Sequence, residues 1–325
     1  MKIKVWYYNF WSNFKLLERS FTQYLSNNGY EFELDENNPD IIFFNSFGEI
    51  NYTGNAIKIG YVTEDLHRFS GIYKKIQENY FDLVIGNLPP IPDLKFCKHP
   101  LYINSGNYNE PNNDIINGMN EYVKNKDISK LKFCNLIASH DNYKNRLPIF
   151  NKLEDISFIQ CPGKFNNNVE SFDLKGITKR EYMKDFIFTI CPENNYGHEG
   201  YTSEKILDAA MTGCIPIYLG RTDDYQDSEI FNQDRIIRYD PSNEESMDKC
   251  FDIINDLMND KNKLKEFYKQ PIFNEGANRI INTLLVDLKN KFDNLVNTKL
   301  TKPTNKIDMN DFKFNVNSND SIRYV

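Results

Sequence analysis

Short apolar runs alternate with longer amphipathic segments through the first third of the chain. Residues 3–8 are an apolar run of strand length, and residues 14–27 carry Leu16, Leu17, Phe21 and Leu25 at helical spacing. Three more strand-length runs follow, at Ile41–Phe44, 56–62 and 83–85, each bounded by Gly, Asn or Pro. Strands alternating with helices predict a mostly parallel sheet covered by helices on both faces. The pattern lapses over the polar, Asn-rich stretch 105–118, and the charged residues 121–129 predict a helix. It then restarts, with strands expected at 133–138, 157–160, 186–191, Ile215–Leu219 and 235–238. Amphipathic helices are expected at 143–153, 203–212 and 275–296. Ser242 and Glu245 form a capping-box pattern before a helix whose apolar face carries Met247, Phe251, Ile254 and Met258. The expected organisation is α/β, with two Rossmann-like domains, 1–128 and 129–300, facing a cleft, and a polar tail over 301–325.

Composition narrows the classes without choosing among them. A chain of 325 residues is too long for one ordinary core. A net charge of −7 gives no field that would gather nucleic acid or an anionic membrane, so an anionic ligand needs a few placed cations. The 20 Tyr and 24 Phe are, by default, core filler. Six cysteines show no CxxC pair and no metal-ligand spacing with the four histidines. Cys191 and Cys214 adjoin apolar runs, as buried free thiols do, which points to a reducing, cytoplasmic setting. The opening MKIKVWYYNFW lacks a signal-peptide core, and no window is apolar enough to span a membrane. Peripheral association is the most that follows.

The stretch 186–220 carries the chemistry. An expected strand runs into the polar loop 192–201, and a helix opens at Thr202 or Ser203, either of which can cap it. Free N–H groups and the positive dipole end beside a Gly-containing loop make a seat for phosphate. Glu204 suits the first turn on dipole grounds alone. Lys205 does not, and a bound diphosphate would compensate for it. Spacing alone leaves a phosphate seat and an ordinary strand–loop–helix unit equally open.

This stretch resembles the signature of the α-1,3-fucosyltransferases of glycosyltransferase family 10. The matching residues are Pro192-Glu193-Asn194-Asn195, then Gly200-Tyr201-Thr202-Ser203-Glu204-Lys205-Ile206, then Ile215-Pro216-Ile217-Tyr218-Leu219-Gly220. Pro192, Thr202-Ser203 and Leu219 depart from the family's Phe, Val-Thr and Trp. Weaker resemblances keep the same order: residues 42–48, then Gly60-Tyr61-Val62-Thr63-Glu64-Asp65, then His99-Pro100-Leu101-Tyr102 after Lys98, then Ala138-Ser139, Asn145-Arg146 and Phe150.

The resemblance implies a GT-B enzyme of two Rossmann domains. It would move L-fucose from GDP-fucose, with inversion, to a hydroxyl of a GlcNAc-containing glycan through an α-1,3 linkage. Glu64 would be the catalytic base, with Asp65 the fallback. Arg146 and Lys205 would share the diphosphate, Glu204 would lie near the ribose and fucose, and Asn194 and Tyr201 would hydrogen-bond the donor. No essential metal or other cofactor is implied: His140 and His198 lack metal-ligand spacing, and Asp223-Asp224 can equally be a turn. The alternatives are the same fold acting on another nucleotide-sugar or acceptor, or an inert glycan- or nucleotide-binding protein. The loops that would choose the acceptor are residues 11–13, 47–52 and 65–71.

Overall fold

The computed structural model describes residues 1–88, 93, 95–105, 113–196, 200–221 and 225–299. His198, Asp223, Asp224 and the tail 301–325 lie outside the described residues. The strands are β1 (Lys2–Tyr8), β2 (Glu31–Leu34), β3 (Ile41–Phe44), β4 (Ile57–Val62), β5 (Leu83–Gly86), β6 (Phe96–Lys98), β7 (Lys132–Leu136), β8 (Ile159–Gln160), β9 (Phe186–Pro192), β10 (Ile215–Leu219) and β11 (Ile237–Arg238). The helices are α1 (Ser20–Asn27), α2 (Ser70–Gln77), α3 (Leu101–Ser105), α4 (Asn113–Asn125), α5 (Leu147–Glu154), α6 (Lys179–Met183), α7 (Glu204–Thr212), α8 (Tyr225–Ile230), α9 (Glu244–Asn259), α10 (Lys261–Tyr268) and α11 (Ala277–Lys299).

Two parallel sheets result. One runs in the order β2-β1-β3-β4-β5-β6 and the other β11-β10-β9-β7-β8. Pairing in the second is parallel throughout. Central strands β3, β5 and β9 are buried along their whole length, as parallel strands covered on both faces must be. In each sheet the strand order reverses once, between β1 and β3 and between β7 and β9. Crevices open at the carboxyl ends of strands at such reversals, and ligands bind there.

Several elements differ from their sequence expectation, each for a local reason. The helix expected over 14–27 breaks at Arg19, whose backbone is extended. Arg19 lays its guanidinium over Trp11 and Phe14 at 5.3 and 4.7 Å, and the Thr22 hydroxyl donates to the carbonyls of Leu16 and Arg19. Leu17, expected on the apolar face, is therefore exposed. Helix α4 begins inside the stretch read as a break. Its Ile116 and Val123 are buried, and Asn120 on the same helix bonds the backbone of Ile272 and Phe273. The N-cap of α9 is Asn243, which accepts from Ser246 N; Ser242 instead donates to Asp240. The expected end of α7 holds. Gly213 takes the left-handed φ of 75° that closes the helix.

The last helix crosses back. α11 lies against β5, β6 and α1 of the first sheet as well as α8. The Tyr30 hydroxyl donates to Asp293 at 2.6 Å, and Phe292 packs edge-on to Tyr30 and Phe32. Among the described residues, no helix is long and apolar enough to cross a membrane. All six cysteines are free and buried.

Candidate active site

The reversal of the second sheet brings together the loops after β7 and β9. From the first comes Asp141, whose carboxylate accepts from the backbone N–H groups of Asn145, Arg146 and Leu147 and so closes the start of α5. Arg146 is thus the N-cap of α5, not a residue within an amphipathic helix. Its side chain is buried. One terminal nitrogen donates to Asn194 Oδ1 at 2.8 Å, while the other is buried without a hydrogen-bond partner among the described residues, 3.9 Å from Asp141. Burial pulls the guanidinium's pKa down, and Asp141 is the first of the groups opposing it. A guanidinium nitrogen held this way is a donor awaiting an acceptor.

From the β9 loop comes Glu193, fully buried and saturated. Its carboxylate accepts from Ser203 N at 2.8 Å, Ser203 Oγ at 2.6 Å, Tyr218 Oη at 3.0 Å and Lys205 Nζ at 3.0 Å. Ser203 caps α7, so Glu193 locks the helix start and Lys205 together. A charge that compensates Lys205 against the helix dipole is therefore part of the protein itself. Burial works to lower the Lys205 pKa, but Glu193, Glu204 and Glu64 outweigh it and hold the ammonium above its ordinary value. Glu204 opens α7, half-buried beside Lys205.

Facing these from the first sheet is Glu64, just beyond the carboxyl end of β4. Its carboxylate pairs with Arg68 at 3.2 Å and receives the Tyr201 hydroxyl at 3.5 Å. Burial raises the Glu64 pKa, against the pull of Arg68 and Lys205. Burial, with the negative charges of Glu193 and Glu64, drives the Tyr201 hydroxyl well above its usual pKa, so it stays a donor. Neighbouring Asp65 is buried and bonded by the Asn195 amide, tied into the join between the sheets. Arg68 also spans that join, with its guanidinium 5.3 Å from the Tyr143 ring.

Near the same cleft, the His140 pKa is lowered by burial and by Arg146, Arg68 and Lys205, which marks a positive corner. Among the described residues, no group of three His, Cys, Asp or Glu side chains converges as a metal site would require. The structure thus brings Glu64, Tyr201, Glu204 and Lys205 together where the loops of the two sheets meet, with Arg146 and Asn194 paired to each other. Sequence reasoning assigned no role to Glu193, Asp141 or Arg68. Glu193 did stand inside the quoted signature, and Arg68 stands four residues after a candidate carboxylate.

A second join lies behind α7. Lys98 and Asp227 form a buried ion pair at 3.2 Å, and Asp227 also accepts from Tyr102 at 2.7 Å and Thr202 at 2.9 Å. Lys98, at the end of β6, is thus committed to fastening the first sheet to the start of α7.

No family model matches the chain. It is similar to the alpha-(1,3)-fucosyltransferase FucT of Helicobacter pylori, at 30% identity over 154 residues covering 46% of this chain. The match spans 30% of that relative's length. A solved alpha1,3-fucosyltransferase superposes with a TM-score of 0.66 at 19% identity, covering 90% of both chains. The alpha1,3-fucosyltransferase structures with GDP-fucose and with GDP each give 0.65, at the same identity and coverage. By sequence over part of its length and by its GT-B fold over nine-tenths of it, this chain resembles the α-1,3-fucosyltransferases.

Proposed function

We propose that this chain is an inverting fucosyltransferase that moves L-fucose from GDP-fucose to a hydroxyl of a GlcNAc-containing glycan, forming an α-1,3 linkage. The observation that carries the reading is one carboxylate, Glu64, paired with Arg68 on its own side and set against Tyr201 and Lys205 from the second sheet. Solved relatives of the same fold hold GDP-fucose and GDP, which supports the choice of donor. In this reading residues 1–128 present the acceptor and the second sheet with its loops holds the donor.

The acceptor O–H gives its proton to Glu64 while its oxygen attacks C1 of fucose from the face opposite the diphosphate. The C1–O bond to phosphate breaks as the new glycosidic bond forms. The departing GDP takes the bonding pair, and its charge falls to Lys205 and the free Arg146 nitrogen. Cations fixed in place before the reaction lower that barrier most. Glu193 fixes Lys205, and Asn194 fixes Arg146. Tyr201 bonds either Glu64 or the incoming sugar, and Glu204 orients donor hydroxyls. No metal ion takes part in this scheme.

Transfer measured with GDP-fucose and a glycan panel tests it. Glu64→Ala should lose about 10²–10⁴-fold in kcat, the usual worth of a general base, with GDP affinity retained. Lys205→Ala should lose both GDP affinity and rate. Undiminished transfer by both variants would refute the scheme. Turnover of a different nucleotide-sugar would keep the fold and site but change the donor. GDP binding without any turnover would mark an inert binding protein.

A further inference from the structure

The side-chain contacts of Glu64 hold it loosely. Arg68 at 3.2 Å and the Tyr201 hydroxyl at 3.5 Å both stand at the long end of hydrogen-bond distances. The backbone around it is held far more closely. In the first sheet β4 runs between β3 and β5. The residue that follows each of these three strands is polar and buried: Asn45, Thr63 and Asn87. From one side the Asn45 amide donates to the Thr63 hydroxyl at 3.0 Å. From the other the Asn87 amide donates to the Thr63 carbonyl at 2.9 Å, and Asn87 N donates to the Val62 carbonyl at 2.8 Å. The Thr63 carbonyl belongs to the planar peptide whose nitrogen is that of Glu64, so fixing it fixes the Cα from which the candidate base projects.

The two asparagines are themselves fixed. Asn45 Oδ1 accepts from Ser46 N, and Asn87 Oδ1 accepts from Leu101 N at 3.1 Å. Gly86 lets β5 approach this closely: its φ is 138°, and a Cβ there would stand 2.0 Å from the Val62 carbonyl oxygen. On the far side of the base, buried Asp65 accepts from the Asn195 amide of the β9 loop. Glu64 therefore stands between two pinned residues, at a point where a chain leaving its strand is ordinarily mobile. Asn45, Thr63 and Asn87 are neutral, so they set position without placing a charge beside the base.

We propose that Asn45, Thr63 and Asn87 are positioning residues for Glu64, a frame that holds the backbone of the base so that its carboxylate meets the acceptor hydroxyl. Misplacing a reacting group by about 1 Å costs on the order of 10²-fold in rate, which is what such a frame prevents. This role rests on the transferase reading, and the two fail in different ways.

Full-length protein is assayed with GDP-fucose and a glycan that the wild type turns over. Asn87→Leu and Thr63→Val each keep the side chain's shape and remove its hydrogen bonds. Each should lower kcat about 10- to 100-fold, while the acceptor KM, GDP affinity by calorimetry and the acidic limb of the pH–rate profile hold. Thr63→Ser returns the hydroxyl and should restore kcat. If circular dichroism shows Asn87→Leu unfolded, the two Thr63 variants decide alone. Wild-type kcat in either folded variant overturns the frame, as does a parallel loss of GDP affinity, a shifted limb, or no recovery in Thr63→Ser. Each of these leaves the transferase reading standing. A wild type that transfers no fucose, or a Glu64→Ala variant that transfers undiminished, overturns the transferase scheme, and the frame falls with it.

Discussion

The carboxyl edges of the two sheets are built by opposite rules. At the second sheet the carboxylates are answered: Glu193 receives four donors, and Asp141 closes a helix start with three backbone N–H groups. At the first sheet Glu64 and Arg68 pair at the partly exposed surface after β4, while His99, after β6, is buried with no hydrogen-bond partner for either ring nitrogen among the described residues. Burial lowers the His99 pKa to about 3, so the imidazole stays neutral. The contrast fits two ligands of different chemistry. A diphosphate needs cations that do not move, whereas an uncharged sugar needs a surface without strong charge.

The sharpest way to break this comparison is to empty the saturated side. Glu193→Ala strands Lys205, Tyr218 and the Ser203 donors in a buried space, and should cost about 3–5 kcal/mol, as removing one partner of a buried pair does. Chemical denaturation measures it, and a loss under 1 kcal/mol would mean the carboxylate is not the keystone described. Arg146→Ala removes a charged donor worth about 1.5–3 kcal/mol. GDP affinity by calorimetry should therefore fall by roughly 10- to 150-fold, and an unchanged affinity would take Arg146 out of the donor site.

The neutral side can be tested by acid. His99 titrates near its ordinary value when unfolded but only near 3 when folded. Between those values the unfolded state binds the extra proton, so stability falls as pH falls through that window. The loss should be about 2 kcal/mol between pH 7 and pH 5, and His99→Gln should flatten the curve. The smallest effect concerns Glu64. Its raised pKa places the acidic limb of the rate profile above the usual carboxylate range, because a base must be ionised to act. Arg68 opposes that rise, so Arg68→Ala should move the limb further toward neutral pH. A limb that stays put, or moves down, would show that the ion pair does not tune the base.

Much of this was legible in the chain. Alternation of runs gave the parallel sheets because buried strands are written as unbroken apolar stretches, as in Ile41–Phe44. β2 escaped notice because an edge strand is half solvent, and Glu31 and Glu33 spoil its pattern. β6 is three residues long and ends in a lysine whose burial depends on Asp227, far along the chain. The candidate site followed the same division. Glu64, Arg146 and the segment around Lys205 were found through the resemblance, which acts on short contiguous strings. The partners that hold them, Asp141 for Arg146 and Glu193 for Lys205, act through three-dimensional contacts that no spacing rule encodes.

The return of α11 to the first sheet bears on how the molecule is made. Strands β1 and β2 are made before the other strands of both sheets, yet their apolar cover includes Phe292, and Tyr30 finds its acceptor at Asp293. The earliest sheet therefore waits, partly uncovered, while almost all of the rest is synthesised. Contacts of such long sequence separation slow folding and leave apolar surface open to wrong partners. Synthesis of α11, rather than completion of either sheet, is the point from which this fold can close.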